Sequence, residues 1–202
     1  MKKEFIPYNQ VRNNALKLAK RIYDDGFIPD VIYVPLRGGA YMGNVFSEFF
    51  KMVKKNNRPV FYAAVVARSY TDIHQSGRVR IDGWTYDPEY LRHGDKVLFV
   101  DDIFDTGRTI NHLVECILEK GLPREDVKIA VHDYKIPTYR EHLPIHPDYW
   151  ARKLVVDHPE QDDWLHYLSH ELEGLTDEEI QEHYVSQDPE LVEVFELFRS
   201  LK

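Results

Sequence analysis

Residues 97–100 form an uninterrupted apolar run that ends at two adjacent carboxylates, Asp101 and Asp102. A run of this kind can bury both of its faces, and it predicts a strand inside a parallel sheet. Apolar residues then recur at helical spacing over 110–118, and Gly121 predicts the end of that helix. The acids and the turn therefore fall where a strand ends and a helix begins, which is where open α/β folds place their ligands.

The side chains of this connection suit a phosphorylated sugar. Asp101 and Asp102 only accept hydrogen bonds when ionised, so together they suit a pair of ribose hydroxyls or a divalent cation with its waters. The turn at 106–109 combines a glycine, two hydroxyls and the free N–H groups of a helix N-terminus, which suit a phosphate monoester. Asp105 lies between these two groups and would face the sugar or its substituent. The alternative is that the acids only cap the helix and solvate the strand end.

The segment 97–110 resembles the phosphoribosyl-pyrophosphate (PRPP) signature of the type I phosphoribosyltransferases, which has four apolar residues and two acids followed by an Asp-Thr-Gly turn. The resemblance implies that Asp101 and Asp102 hold the ribose hydroxyls and a Mg²⁺ ion. It also implies that Asp105 acts as the general base. The residues that would hold the 5′-phosphate are Asp105, Thr106, Gly107, Arg108 and Thr109.

A second predicted strand ends in a glycine turn whose residues, Arg37, Gly38 and Gly39, resemble the pyrophosphate loop of the same family. An arginine suits this position because its guanidinium binds phosphate oxygens bidentately and stays charged. A tight turn with a solvated arginine is the alternative. The resemblance further implies that the peptide between Leu36 and Arg37 can be cis.

A third predicted strand, 60–66, precedes Arg68, Ser69 and Tyr70. In the 6-oxopurine phosphoribosyltransferases, which are the hypoxanthine-guanine and xanthine-guanine enzymes, a Ser-Tyr pair opens the lid that closes over PRPP. Ser69 and Tyr70 resemble that pair. Residues 71–86 are polar and lack a clear period, so they predict a long loop, with room for a short hairpin, of the kind that forms lids.

A fourth predicted strand, 127–135, ends in Lys135, where the same subfamily has a lysine that donates a hydrogen bond to the purine 6-oxygen. The resemblance implies that residues after this strand complete the base site, and it leaves open which aromatic ring stacks on the base. Each ring could instead fill a small core. The candidates that accompany Lys135 are Tyr149, Trp150, Trp164 and Leu165.

With 202 residues the chain is long enough for one domain and too short for two ordinary ones. We expect an α/β fold with a mostly parallel sheet flanked by helices, as in the type I phosphoribosyltransferases. The core would span about 9–140, a small hood about 141–174 and a C-terminal helical tail about 175–202. A capping box beginning at Thr176 supports the helical tail.

Charge and composition restrict the partners. Lysine and arginine number 26 against 34 aspartate and glutamate, a net charge of −8 that disfavours nonspecific binding to nucleic acid or anionic membranes. A single cysteine excludes an internal disulfide, and His166 with His170 lacks a third ligand for zinc. The sequence shows no apolar segment of membrane length, and we expect a cytoplasmic protein that forms a homo-oligomer, either a dimer or a tetramer.

The resemblance therefore implies a Mg²⁺-dependent purine phosphoribosyltransferase of purine salvage. It would convert PRPP and guanine, hypoxanthine or xanthine to the nucleoside 5′-monophosphate and pyrophosphate. Two alternatives stay open: a phosphoribosyltransferase for another base such as uracil, and a PRPP-sensing regulatory protein. A P-loop nucleotide triphosphatase is disfavoured because the chain has no GxxxxGK[ST] motif.

Overall fold

A computed structural model describes residues 2–55, 58–69 and 79–200 of the chain. Its strands are β1 (Lys3–Ile6), β2 (Val31–Pro35), β3 (Phe61–Ser69), β4 (Val79–Trp84), β5 (Val97–Phe104), β6 (Val127–Pro137), β7 (Tyr149–Val156) and β8 (Trp164–Tyr167). Its α-helices are α1 (Tyr8–Asp24), α2 (Gly39–Val53), α3 (Arg108–Leu118), α4 (Asp177–Ile180) and α5 (Leu191–Ser200).

The central sheet has the strand order β4-β3-β2-β5-β6-β7. Neighbouring strands are parallel throughout, except that β4 pairs antiparallel with β3 at one edge. The helices that connect the parallel strands cover both faces of the sheet. This arrangement confirms the predicted type I phosphoribosyltransferase fold, a mostly parallel sheet flanked by helices.

The apolar run at the start of β5 is buried on both faces, as its composition predicts. Leu98 and Val100 pack into a cluster with α1 and α2 on one side of the sheet. Val97 and Phe99 pack into a second cluster with α3 on the other side. All four side chains have no solvent exposure, so successive residues of one strand contribute to two separate cores.

The first two helices lie on the same face of the sheet. In α1 the buried positions Val11, Ala15, Leu18, Ala19 and Ile22 recur at helical spacing and form a single stripe. In α2 a Cβ atom built on Gly43 would lie 2.1 Å from Cγ1 of Val34, so glycine permits α2 to lie directly against β2. This close packing fixes the beginning of α2, and with it the glycine turn that precedes it.

The hood differs from the one that the sequence predicts. β1 and β8 form a separate two-stranded parallel sheet, so the hood joins the start of the chain to the segment after residue 163. β7 lies within the predicted hood range, about 141–174, yet it is the edge strand of the central sheet. It pairs with β6 from Ala130 to Pro137. The hood therefore consists of β1, β8 and the residues that follow β8.

The tail is helical, as predicted. Thr176 Oγ1 accepts a hydrogen bond from the Glu179 backbone N–H, and a Glu179 carboxylate oxygen accepts one from the Thr176 backbone N–H, which completes the capping box. α4 continues into a π-helical turn at Gln181–Val185, and Phe195 of α5 packs against that turn. No helix among the described residues combines the length and apolar composition that crossing a membrane requires.

Candidate active site

The acidic pair, Asp101 and Asp102, lies where β2 and β5 of the central sheet stop pairing with each other. The registered pairing of β2 with β5 ends at Tyr33 and Phe99, whereas β5 continues alongside β6 as far as Phe104. Asp101 and Asp102 are therefore part of the strand itself, in the stretch that β2 no longer covers. The strand runs four residues further than the sequence predicts, because its pairing with β6 satisfies the backbone of the acidic residues as well.

A cavity of about 890 Å³ lies over this opening. One wall is formed by the carboxyl ends of the central strands and their loops, with Arg37, Gly38, Asp101, Asp102 and Thr109. The opposite wall is formed by the hood, and its residues are Lys3, Trp164, His170, Glu171, Leu172, Glu173 and Gly174. The predicted pyrophosphate loop, the acidic pair and the end of the phosphate turn thus share one cavity.

The glycine turn lies directly against the acidic pair. A Cβ atom built on Gly38 would lie 2.4 Å from Oδ1 of Asp102, and one built on Gly39 would lie 2.3 Å from the carbonyl oxygen of Val100. A side chain at Gly39 would collide with backbone, and one at Gly38 would have to displace the Asp102 carboxylate. The peptide between Leu36 and Arg37 is cis, which agrees with the expectation from the sequence.

The phosphate turn also depends on a glycine. Gly107 has φ of +71°, and a Cβ atom there would lie 2.3 Å from the ring of Phe104. α3 begins at the next residue, so its first backbone N–H groups are available at the helix N-terminus. Thr106 and Arg108 are exposed, and Thr109 lines the cavity. The turn therefore has the geometry of an anion-binding site.

The two acids differ in their surroundings. Burial, together with the adjacent charge of Asp102, raises the pKa of Asp101 well above its usual range. Oδ1 of Asp102 accepts a hydrogen bond from the Ile103 backbone N–H at 2.8 Å. Its Oδ2 lies 3.1 Å from Nε2 of His170, and this contact raises the pKa of His170. Of the two neighbouring carboxylates, Asp102 is therefore the one with an imidazole partner.

The positions of the two hood histidines give no support to a zinc pair. His170 contacts Asp102, whereas His166 is buried in β8 and its Nδ1 lies 3.3 Å from a carboxylate oxygen of Glu171. The described residues contain no cluster of three or more side chains able to hold a metal. Sequence reasoning missed the contact of His170 with Asp102, since nothing in the local pattern indicates it.

A buried polar network joins the hood to the sheet below the cavity. The hydroxyl of Tyr167 lies 2.6 Å from Oδ2 of Asp133 and 3.1 Å from the backbone oxygen of Asp102. The same Asp133 carboxylate contacts Nδ1 of His132 at 2.6 Å and Nε of Arg152 at 2.9 Å. The network fixes Tyr167 of the hood against the strand that carries the acidic pair.

Asp105 lies after β5 and is partly exposed. Nη2 of Arg140 lies 2.6 Å from its Oδ1, and the same nitrogen donates to its backbone oxygen at 3.3 Å. The ring of Tyr139 lies below the Arg140 guanidinium, 5.9 Å from the centroid. Neither Arg140 nor Tyr139 stands out in the sequence, because each is an isolated polar residue in the segment after β6.

Lys135 is almost fully buried, with 7% of its surface exposed. Its Nζ donates to Oδ1 of Asp162 at 2.6 Å and to the backbone oxygen of Asp163 at 2.8 Å. Trp164 follows directly, lines the cavity and is 48% exposed. The structure therefore brings the lysine and one of the three candidate aromatic residues together.

The other two aromatic candidates lie elsewhere. Tyr149 and Trp150 are the first residues of β7 and pair with Ala130 and Val131, which lie five and four positions before Lys135. Four to five residues of strand correspond to about 13–17 Å. Tyr149 is buried, and both rings pack near Arg21 of α1. Neither residue lines the cavity, because β7 is a strand of the core sheet, so a contact of either ring with the base stays a prediction that this position disfavours. Leu165 is also buried in the core.

The predicted lid is described only in part. Arg68 and Ser69 are the last residues of β3, and Ser69 pairs with Val79 of β4. Tyr70 and residues 71–78 lie outside the described residues. The rest of the predicted loop contains β4, so the short hairpin that the sequence allowed for is present.

The chain is similar to known proteins over most of its length. A family model of the phosphoribosyl transferase domain matches residues 7–161. The bifunctional protein PyrR of Microcystis aeruginosa is 26% identical over 160 residues, which cover 78% of this chain and 86% of that protein. PyrR of Clostridium perfringens strain SM101 is 24% identical over 187 residues, which cover 91% and 99% of the two chains.

Solved structures show the same fold. The purine phosphoribosyltransferase from Pyrococcus horikoshii has a TM-score of 0.64 at 21% identity, covering 87% of this chain and 99% of that one. A hypoxanthine phosphoribosyltransferase mutant from Trypanosoma cruzi, complexed with the product IMP, has a TM-score of 0.53 at 26% identity. The match covers 73% of this chain and 74% of that one.

Proposed function

The chain belongs to the phosphoribosyltransferase family, and from this premise we propose that it transfers the phosphoribosyl group of PRPP to a 6-oxopurine. The products would be the nucleoside 5′-monophosphate and pyrophosphate. One observation carries the proposal: Arg37 of the glycine turn, Asp102 of β5 and Thr109 at the start of α3 line the same cavity as Trp164. Such a set of side chains suits a ligand that contains a phosphate, a sugar diol, a pyrophosphate and a flat base.

The core residues would bind PRPP. Asp101 and Asp102 accept hydrogen bonds from the ribose hydroxyls, and the turn from Asp105 to Thr109 binds the 5′-phosphate through backbone N–H groups at the start of α3. Arg37 and the backbone of Gly38 and Gly39 bind the pyrophosphate. The short distance between Gly38 and Asp102 supports this, because it puts the pyrophosphate loop beside the diol site.

The acidic pair suits a magnesium ion carried by the substrate. Mg²⁺ is usually held in such sites by one or two carboxylates together with substrate phosphates and waters. Burial and the charge of Asp102 raise the pKa of Asp101, and a divalent cation would offset this concentration of negative charge. When bound, the ion would neutralise the leaving pyrophosphate. Asp101 and Asp102 are the residues that would hold it.

The base would lie between the ring of Trp164 and the end of β6. Trp164 offers an exposed aromatic face in the cavity wall, and the buried ammonium of Lys135 donates to the backbone oxygen of Asp163, the residue before it. A lysine can only donate hydrogen bonds, so it favours a carbonyl oxygen over an amino group at the edge that it contacts. This selects oxopurines against adenine.

The chemistry would consist mainly of positioning. Displacement at the anomeric carbon passes through an oxocarbenium-like centre, so binding both partners in line and stabilising the leaving charge lowers the barrier. Asp105 would accept or orient the proton on the purine imidazole ring. Ser69 and Tyr70 would belong to a lid that excludes water, which otherwise competes for the sugar.

Pyrophosphate release tests the proposal. The purified protein is incubated with PRPP, Mg²⁺ and each of six bases in turn: guanine, hypoxanthine, xanthine, adenine, uracil and cytosine. We expect release with at least one of the three 6-oxopurines and none above background with adenine. Pyrophosphate release with uracil alone would show that the acceptor is a pyrimidine and not a purine.

A second candidate is a regulatory protein that binds PRPP in the same cavity. The observation that favours it is the name of the curated relatives, bifunctional protein PyrR, which implies more than one role for those proteins. PRPP binding measured by calorimetry, with no pyrophosphate release for any of the six bases, would support this candidate over the enzyme.

A further inference from the structure

Among the described residues, the ammonium of Lys135 has two hydrogen-bond acceptors and so one N–H left to donate. A lysine has three N–H donors. Two are used within the protein, by Oδ1 of Asp162 at 2.6 Å and by the backbone oxygen of Asp163 at 2.8 Å. Because the side chain is almost fully buried, it cannot turn freely to share its protons with water. The direction of the remaining N–H bond is therefore set by these two acceptors.

Asp162 is itself held from a second side. Its Oδ2 accepts a hydrogen bond from the Tyr139 hydroxyl at 2.9 Å, while Oδ1 accepts from Lys135. Burial opposes ionisation of this carboxyl, but the hydrogen bonds from Lys135 and Tyr139 outweigh it and lower its pKa. Asp162 is thus an ionised carboxylate whose two oxygens are both bound to the segment at the end of β6.

The same ion pair connects that segment to the hood. Asp162 and Asp163 directly precede Trp164, which begins β8 and pairs with Lys3 of β1. The two hydrogen bonds of Lys135 therefore hold the residues immediately before the tryptophan at a fixed distance from the ammonium. A base stacked on Trp164 would meet the free N–H of Lys135 at one position along its edge.

We propose that Asp162 is the positioning residue that fixes the free N–H of Lys135 relative to the Trp164 ring and so determines which base is accepted. This inference rests on the proposed function, because it assumes that a nucleobase occupies the space beside Trp164. Asp162 does not touch the base. It acts through Lys135, and without it the ammonium would have other directions open to it.

The ion pair also defines the chemical class of the base. Lys135 and Asp162 together carry no net charge, so their combined attraction for an anion is weak. What remains is one donor aimed at an acceptor. The pair therefore favours a neutral base with a carbonyl oxygen at that edge, and it disfavours an amino group there or a base that carries a carboxylate.

Nucleotide binding tests this without catalysis. IMP and AMP share the ribose 5′-phosphate and differ at the six-position, where one has a carbonyl and the other an amino group, and at the adjacent ring nitrogen. Calorimetry gives the ratio of their Kd values. In the wild type we expect IMP to bind at least about tenfold more tightly than AMP, the effect of one charge-assisted hydrogen bond.

Variants at position 162 should change that ratio. In Asp162→Ala we expect the ratio of the AMP and IMP Kd values to fall to within about threefold of unity, as in Lys135→Ala. The double variant should show no further fall in this ratio. Asp162→Asn keeps the size of the side chain but not its charge, and it should give an intermediate ratio. Asp162→Glu should restore most of the discrimination.

A matched control separates positioning from stability. Asp157→Asn makes the same change in charge at a carboxylate that accepts a hydrogen bond from Thr138 in the same segment, whereas the described partners of Lys135 are Asp162 and Asp163. Its ratio should equal that of the wild type, and PRPP binding should be unchanged in every variant. If Asp162 had only a structural role, IMP and AMP would weaken together and the ratio would stay constant.

The outcomes for the inference and for the proposed function are distinct. Discrimination in the wild type that persists in Asp162→Ala and Asp162→Asn overturns the inference alone. UMP and CMP form an equivalent carbonyl and amino pair, so a wild type that discriminates only these two, with loss in Asp162→Ala, supports Asp162 and overturns the purine acceptor. If the wild type discriminates neither IMP from AMP nor UMP from CMP, both the inference about Asp162 and the purine acceptor are overturned.

Discussion

The Cα atom of Gly38 lies so close to Asp102 that a methyl group on it would be 2.4 Å from the carboxylate. The backbone of Gly38 is in the helical region, with φ of −56° and ψ of −46°, so alanine is allowed there by conformation and excluded only by contact. The neighbouring carboxylate is the group that would have to move. This relationship allows the pyrophosphate loop to be tested separately from the fold.

We expect Gly38→Ala to fold and to lose about 10²-fold in kcat/KM, with weaker PRPP binding, because displacing a carboxylate by an ångström disturbs the sugar site. Steady-state kinetics and PRPP calorimetry measure both effects. Gly83→Ala is the matched control, since a Cβ atom there meets nothing within 4 Å. Equal activity in the two variants would mean that the loop does not bind pyrophosphate against Asp102.

Asp105→Asn tests the general base. The amide keeps the size of the side chain and can still accept a hydrogen bond from Arg140, so the turn should keep its shape. Loss of the base should lower kcat by about 10² to 10⁴, with PRPP affinity little changed. Single-turnover kinetics and calorimetry give the two quantities. Turnover close to that of the wild type would remove Asp105 from the chemical step.

The two tryptophans near the end of the chain provide a paired test of base stacking. Trp164→Ala should weaken base binding by about 1–3 kcal/mol, the contribution of one base–aromatic stack. Trp150→Ala removes an equal side chain from β7, which lies away from the cavity, and should lower the melting temperature while leaving the KM for the base unchanged. If instead Trp150→Ala raised that KM and Trp164→Ala did not, the base would lie at β7.

His166 should make the stability of the protein depend on pH. Burial lowers the pKa of His166 in the folded protein, and the partly opposing charge of Glu171 is not enough to restore it. The unfolded chain therefore binds the proton first as the pH falls. The free energy of unfolding should decrease from about pH 6.5 downward, through the folded pKa, and should not change for this reason above that range.

Denaturant unfolding between pH 8 and pH 5 measures that dependence, and His166→Gln, which does not titrate, should show a shallower slope. His158→Gln is the control because it makes the same change at an exposed histidine. A slope unaffected by His166→Gln would assign the pH dependence to other groups.

The parts of the site that the sequence predicts are those in which local pattern and chemistry coincide. Residues 97–110 combine a buried strand, a glycine with positive φ and a helix N-terminus. Each of these features has a recognisable sequence pattern within a few consecutive residues. The sequence pattern of β7 is weaker. As an edge strand it alternates buried and exposed residues irregularly, so its aromatic residues resemble those of a binding loop.

The partners of the predicted residues could not be found in this way. Asp162 is 27 positions from Lys135, and Arg140 is 35 positions from Asp105. The pairing of β5 with β6 brings Arg140 to Asp105, and the pairing of β6 with β7 together with the return of the chain into β8 brings Asp162 to Lys135. Ion pairs between such distant residues depend on the assembled fold, and no local spacing encodes them.

The pairing of β1 with β8 also has a consequence for the order of folding on the ribosome. Lys3 bonds to the backbone of Gly174, a residue 171 positions later, so β1 is synthesised long before its partner exists. The central sheet can form from neighbouring segments in the meantime, since contacts between nearby segments cost less chain entropy. The cavity wall that carries Trp164 therefore forms after the central sheet. In a nascent chain that lacks this wall, the acidic pair would be exposed to water.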